Sequence, residues 1–129
     1  MKSPREVIES HYAAGEQGDL PGMFADFAPD IVWTEADGFP LAGTYVGVDA
    51  VRENVFVALA KEWDGWAVAI DHLVVDGETV VGLGTYTGTN NATGKPVSAR
   101  VAHIWRVEGG RAVRFEQITD TAQVLDGMR

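Results

Sequence analysis

Glu35 and His103 are the residues whose type and setting raise the question of chemistry in this chain. From Asp30 to Ala36 side chains alternate with the period of a strand, so Ile31, Trp33 and Glu35 share one face while Val32 and Thr34 take the other. A carboxylate beside an indole on an apolar wall is disfavoured in its ionised form, and its pKa rises toward the range useful for proton transfer. The same alternation from Ala99 to Val107 aligns Ala99, Val101, His103, Trp105 and Val107. An imidazole in that row serves as a hydrogen-bond donor or as a proton shuttle. Each residue also has a plainer role with the same spelling. Glu35 then faces water at a strand end, and His103 is a core histidine with its nitrogens satisfied.

Other polar groups are candidates for the same interior. His11 and Tyr12 lie on or beside the apolar stripe of a helix, where their polar tips need partners. Gln117 shares a strand face with Phe115, whereas Asp120 falls on the opposite face, so Gln117 is the expected pocket group. Other chemistries are excluded or unsupported. The chain has no cysteine, which removes thiol nucleophiles, disulfides and zinc–thiolate sites. Its three histidines show no metal-ligand spacing, so no metal and no cofactor is expected.

The elements that would hold these residues follow from local signals. Ser3-Pro4-Arg5-Glu6 has the form of a capping box, and Val7, Ile8, His11, Tyr12 and Gly15 continue at helical spacing. Asp19 and Pro21 start a short second helix with Leu20, Met23, Phe24 and Phe27 on its apolar side; Pro29 stops it. After the strand at Asp30 to Ala36, turn residues lead to a short extended connector at Thr44 to Gly47. Asp49 is expected to cap a third helix with Val51, Val55, Phe56, Leu59 and Trp63 as its stripe. From Trp66 onward the pattern is strand, turning at Asp76-Gly77, Asn90 to Gly94 and Gly109-Gly110. Gly82 and Gly84 inside one strand suggest a bend or a close backbone approach. Three helices and one early strand followed by a four-strand antiparallel meander predict an α+β fold, with the helices on one side of a curved sheet.

At 129 residues the chain reads as one domain, 1–129, with 46% apolar and 22% charged residues, the composition of a globular protein. The net charge of −9 argues against nucleic acid or an anionic membrane as partner. No apolar stretch approaches spanning length and the first ten residues lack a signal-peptide core, so a cytoplasmic location is the default expectation.

Several strings, taken in order, resemble the NTF2-like superfamily and its SnoaL-like branch: His11-Tyr12 with Gly18-Asp19-Leu20, Asp30-Ile31-Val32-Trp33, and Leu41-Ala42-Gly43-Thr44-Tyr45-Val46-Gly47. Tyr86-Thr87-Gly88-Thr89, Thr93-Gly94-Lys95-Pro96, His103-Ile104-Trp105-Arg106-Val107 and Phe115 to Thr121 continue the likeness over nearly the whole chain. The resemblance implies a cone: a strongly curved, mainly antiparallel sheet wrapped around helices, with an apolar pocket open at one end. It also implies a homodimer through the outer sheet face, on the side of Ile104 and Arg106. The superfamily includes ketosteroid isomerase and SnoaL-type polyketide cyclases besides non-catalytic binding proteins, so the fold leaves function open.

Against the ketosteroid isomerase pattern, Glu35 falls at the general-base position, His103 at the protonated aspartate of the oxyanion hole, and His11 with Tyr12 at the oxyanion-hole tyrosine. None of the three has the family's residue type. The epoxide hydrolase set is not matched either, Asp71 and Arg100 being at most fragments of it. The expectation is a cofactor-independent enzyme of isomerase or cyclase type. In it Glu35 takes a proton alpha to a carbonyl, and His103 donates to the developing enolate or shuttles the proton. His11, Tyr12, Trp33, Tyr45, Phe56, Trp105 and Gln117 would contact a small hydrophobic ligand. Two other outcomes remain open: a pocket protein that binds or sequesters such a ligand without chemistry, and an interaction module whose cavity is too small for one.

Overall fold

Ser3 opens the first helix in the way its spelling predicts. In a computed structural model describing residues 1–129, its hydroxyl accepts the Glu6 N–H at 3.2 Å and the Glu6 carboxylate accepts the Ser3 N–H at 2.9 Å. This capping box starts α1 (Pro4–Glu16), whose buried face is Val7, Ile8 and His11. Asp19 caps α2 (Leu20–Phe24) by accepting from Gly22 N–H at 3.0 Å. β1 (Phe27–Glu35) and β2 (Gly43–Val46) follow, so the expected connector at Thr44 to Gly47 is in large part a strand.

The third helical stretch is a rod of three consecutive pieces: α3 (Val48–Val51), a π-helical segment (Arg52–Phe56) and α4 (Val57–Glu62). Two details differ from expectation. Gly47, at φ 94°, occupies the cap position, while Asp49 sits in the first turn and pairs with Arg52 at 2.8 Å. Trp63 adopts extended backbone at the end of α4 and begins the next strand instead of ending the helical stripe.

The remaining strands are β3 (Trp63–Asp76), β4 (Thr79–Asn90), β5 (Pro96–Glu108) and β6 (Arg111–Thr119). They pair consecutively and antiparallel, the expected meander. The early strand joins this sheet in parallel with β6, giving the order β2-β1-β6-β5-β4-β3. A short α5 (Thr121–Gly127) follows β6, where the sequence pattern predicts no helix. Its cap is Asp120, which accepts from Gln123 N–H and is exposed, as its outward face requires. The architecture is α+β, with the N-terminal helices preceding a six-stranded, mostly antiparallel sheet.

Register shifts in β3 and β6 and between Phe27 and Val32 of β1 bend the strands. The α1 helix packs across β3, β4, β5 and β6, so the sheet closes around it. One register row carries much of the core: Trp33 opposite Phe115, Phe115 opposite Trp105, and Trp105 opposite Val80. Trp33 and Phe115 stack with centroids 3.7 Å apart. Each such buried aromatic contributes about 1.5–3 kcal/mol of apolar burial. A smaller cluster of Phe39, Trp63, Val97, Ala99 and Val124 packs α5 against β5. No helix is long and apolar enough to cross a membrane.

Candidate active site

Between α1, the helical rod and the inner face of the sheet lies a cavity of about 720 Å³. That is within the range of small-molecule sites and removes the reading of a cavity too small for a ligand. Leu59 and Phe56 of the rod, Trp63, Trp66 and Ile70 of β3, and Trp33 and Phe115 give it apolar walls. Its charged lining residues are all carboxylates, Glu16 and Asp64 at the exposed rim and Glu35 inside; no lysine or arginine takes part. The π-helical segment supplies Val55 and Phe56, and such insertions frequently mark functional sites.

Glu35 ends β1 on its inward face and is only 3% exposed. Its Oε1 accepts the Trp33 indole N–H at 3.3 Å, while Oε2 is buried with no partner in the protein. Among side-chain nitrogen and oxygen atoms fully sealed from solvent, it is the only one without a partner. Desolvation pushes its carboxyl up to about 7, against a small opposing effect of the Trp33 hydrogen bond.

A continuous polar seam lies in the same interior. His103 is held from both sides, its Nδ1 2.7 Å from the Tyr12 hydroxyl and its Nε2 2.6 Å from the Tyr86 hydroxyl. Trp105 N–H donates to the Tyr12 oxygen at 3.0 Å, and Gln117 Nε2–H donates to the Tyr86 oxygen at 3.0 Å. The Gln117 carbonyl in turn accepts Ala36 N–H at 3.1 Å, which fixes the orientation of the amide. Burial, and secondarily His11, lowers the His103 pKa to about 3, so the ring is neutral near pH 7. Both tyrosine hydroxyls are raised by burial and stay protonated. Gly82 makes the seam possible, because a Cβ there would sit 2.8 Å from the Tyr12 hydroxyl. Gly84 lies so close to the Ala69 carbonyl that no side chain fits, so both glycines mark the expected close approaches.

His11 is a separate case. Its Nδ1–H donates to the Met23 carbonyl at 2.9 Å, tying α1 to α2, which leaves Nε2 as a bare acceptor at the cavity wall. Desolvation lowers its pKa to about 4.

Of the residues singled out in the sequence, Glu35, His103, His11, Tyr12, Trp33 and Phe56 line this one cavity. Three are corrected, because Trp105, Gln117 and Tyr45 are not part of its lining. Trp105 is 1% exposed and braces Tyr12 from the second layer. Gln117 is spent on Tyr86 and the Ala36 backbone. Tyr45 pairs with Trp33 from strand β2, next to β1 at the sheet edge, and donates to the Leu41 carbonyl at 2.8 Å. His103 itself has no nitrogen free for a ligand, so its effect passes through its two tyrosines. Asp71 and Arg100 form an exposed ion pair at 2.7 Å outside the cavity wall. Sequence reasoning missed Tyr86. The signal was there: Val80, Gly82, Gly84 and Tyr86 alternate onto one buried face, with two glycines clearing space beside a tyrosine.

Comparison with known proteins agrees with this architecture. The family model of the SnoaL-like domain matches residues 8–115. No curated protein matches the chain. Among solved structures, an NTF2-like protein from Burkholderia thailandensis shares 48% identity with a TM-score of 0.98, covering 100% of this chain and 99% of its own. An NTF2-like protein of unknown function from Burkholderia pseudomallei shares 34% identity with a TM-score of 0.89, each chain covered to 98%. TerC, co-crystallised with polyporic acid, shares 26% identity with a TM-score of 0.88, each chain covered to 97%.

Proposed function

Because this chain belongs to the SnoaL-like family and has the NTF2-like fold, we propose that it is a cofactor-independent enzyme of isomerase or cyclase type acting on a small, apolar carbonyl compound. Glu35 is the base. Its unpartnered, buried Oε2 at the cavity wall is the observation that carries the proposal, because a carboxylate held near pKa 7 accepts a proton from carbon and returns it at another position. The enolate formed by that step needs a donor at its oxygen, and the tyrosine pair around His103 is the source of one. The aromatic walls suit a ring-bearing substrate. The exclusively acidic charge of the lining disfavours anionic ligands. The co-crystallisation of TerC with polyporic acid supports an organic small molecule as occupant of this fold.

The test is deuterium exchange into ring-bearing ketones, β-tetralone among them, followed by proton NMR in heavy water. The protein accelerates exchange alpha to the carbonyl, and Glu35→Gln lowers the rate by roughly 10²- to 10⁴-fold. Equal rates for the two proteins remove Glu35 as base. The second reading, a protein that holds such a ligand without altering it, is favoured by one observation: His103 has neither nitrogen free to serve as a partner acid. Under that reading bound ketones are recovered without exchange, and Glu35→Gln changes affinity alone.

A further inference from the structure

The seam around His103 contains one more hydroxyl proton than the protein has acceptors for. A neutral imidazole offers one N–H and one lone pair. An indole N–H only donates, so the Tyr12 oxygen accepts from Trp105. The Gln117 amide is oriented by Ala36 N–H, so the Tyr86 oxygen accepts from Gln117. Neither hydroxyl has any further partner except His103. One tyrosine therefore gives its proton to the bare ring nitrogen. The other receives the ring N–H and keeps a proton that nothing in the protein accepts. Both tyrosines line the cavity, so that proton is available to whatever occupies it.

Glu35 breaks the symmetry between the two. Tyr86 is tied through Gln117 to the backbone N–H of Ala36, the residue next to Glu35, whereas Tyr12 is braced from the other side by Trp105. In keeping with this, the Glu35 carboxylate acts electrostatically on Tyr86 and is not among the causes that shift Tyr12. A nearby negative charge favours the arrangement in which the Tyr86 proton turns toward it and away from the ring. Nε2 then carries the imidazole proton and donates to the Tyr86 oxygen, while Nδ1 accepts from Tyr12. The bonds run in one direction, Trp105 to Tyr12 to His103 to Tyr86, and successive donors in such a chain polarise one another. Tyr86 sits where two donor lines converge, from His103 and from Gln117.

We propose that Tyr86 is the hydrogen-bond donor to the carbonyl oxygen of an uncharged ligand, with His103 as the positioning residue that aims its proton. The proposal rests on the proton-transfer reading above and adds a residue to it. It also defines the ligand: one acceptor oxygen for Tyr86, with an acidic C–H within reach of the Glu35 side.

Two measurements on the full chain near neutral pH test it. Nitrogen NMR of isotope-labelled protein reads the His103 ring directly, and the expected result is a neutral ring protonated at Nε2. Calorimetry compares β-tetralone with tetralin, the same skeleton without the oxygen. The wild type prefers the ketone by about tenfold, the worth of one buried hydrogen bond. Tyr86→Phe erases that preference, and Tyr12→Phe reduces it less. A ring protonated at Nδ1, or a ketone preference that survives in Tyr86→Phe, overturns the proposal, and the NMR result stands even where a variant fails to fold. Absence of exchange in the wild type, or equal rates in the wild type and Glu35→Gln, with the Tyr86-dependent preference intact refutes Glu35 as base and leaves the donor standing. Exchange that persists undiminished in Tyr86→Phe refutes the donor alone.

Discussion

The Tyr12–His103–Tyr86–Gln117 seam and the Glu35 carboxyl share one interior, all buried except the half-buried Tyr12, and differ in how they are partnered. In the seam each nitrogen and oxygen atom finds a partner between 2.6 and 3.1 Å, down to the backbone N–H of Ala36, with a single tyrosine proton left over. Glu35 has one weak partner and one oxygen with none. Buried polar groups that are satisfied hold a structure in one arrangement. A buried carboxylate that is unsatisfied works against folding and persists where chemistry or binding uses it. The contrast underlies the proposed roles: His103 and Gln117 position, while Glu35 and Tyr86 meet the ligand.

Breaking the two regions should therefore move stability in opposite directions. The largest effect is expected at Glu35. Its carboxyl rises from an ordinary 4.5 to about 7 on folding, so the folded chain binds the proton more tightly than the unfolded one. That contribution is whole below pH 4.5 and is lost as pH rises through 7, amounting to about 3 kcal/mol above it. Glu35→Gln removes this loss. Urea denaturation at pH 5 and pH 8 should show a stability advantage for the variant that is small at the first and approaches that figure at the second. His11 and His103 act with the opposite sign. Held to about 4 and about 3 against an ordinary 6.5, they contribute fully above pH 6.5 and lose that contribution as pH falls. Because they are common to both proteins, the difference between them isolates Glu35. A pH-independent difference would mean that the carboxyl is not desolvated.

His103→Phe attacks the closed region. It keeps a ring of similar size on the strand and strips a partner from each tyrosine, which should lower stability by about 2 kcal/mol at neutral pH. Denaturation showing the variant as stable as the wild type would mean that the seam holds nothing together. Gln117→Leu, at the far end of the same seam, leaves Ala36 N–H without its acceptor and Tyr86 without one of two donors; about 1 kcal/mol is expected by the same measurement.

How much of this was legible in the sequence depended on whether a signal was local. The capping box at Ser3, the hairpin turns and the inward faces of β1 and β5 follow from patterns a few residues long, and each holds in the structure. The α5 helix has a local signal too, Asp120 at its cap, but Asp120 enters the sequence reading only by its strand face, and the strand pattern is followed to its end. The Trp63 misassignment has the same origin. An indole at helical spacing also fits a strand start, and only its neighbours Phe39, Val97 and Val124, distant in sequence, decide between them.

The sequence by itself determined the fold class, the family likeness and the two faces that carry Glu35 and His103, since period-two alternation and turn chemistry are properties of the chain. Pairing across long separations was decided only by the tertiary structure. It set β1 parallel to β6, brought Tyr12 and Tyr86 to the two nitrogens of one imidazole, and turned Trp105 and Gln117 from pocket walls into braces behind it. It also left Glu35 Oε2 alone. Whether a buried polar atom has a partner depends on every element that closes over it, and no local pattern encodes that.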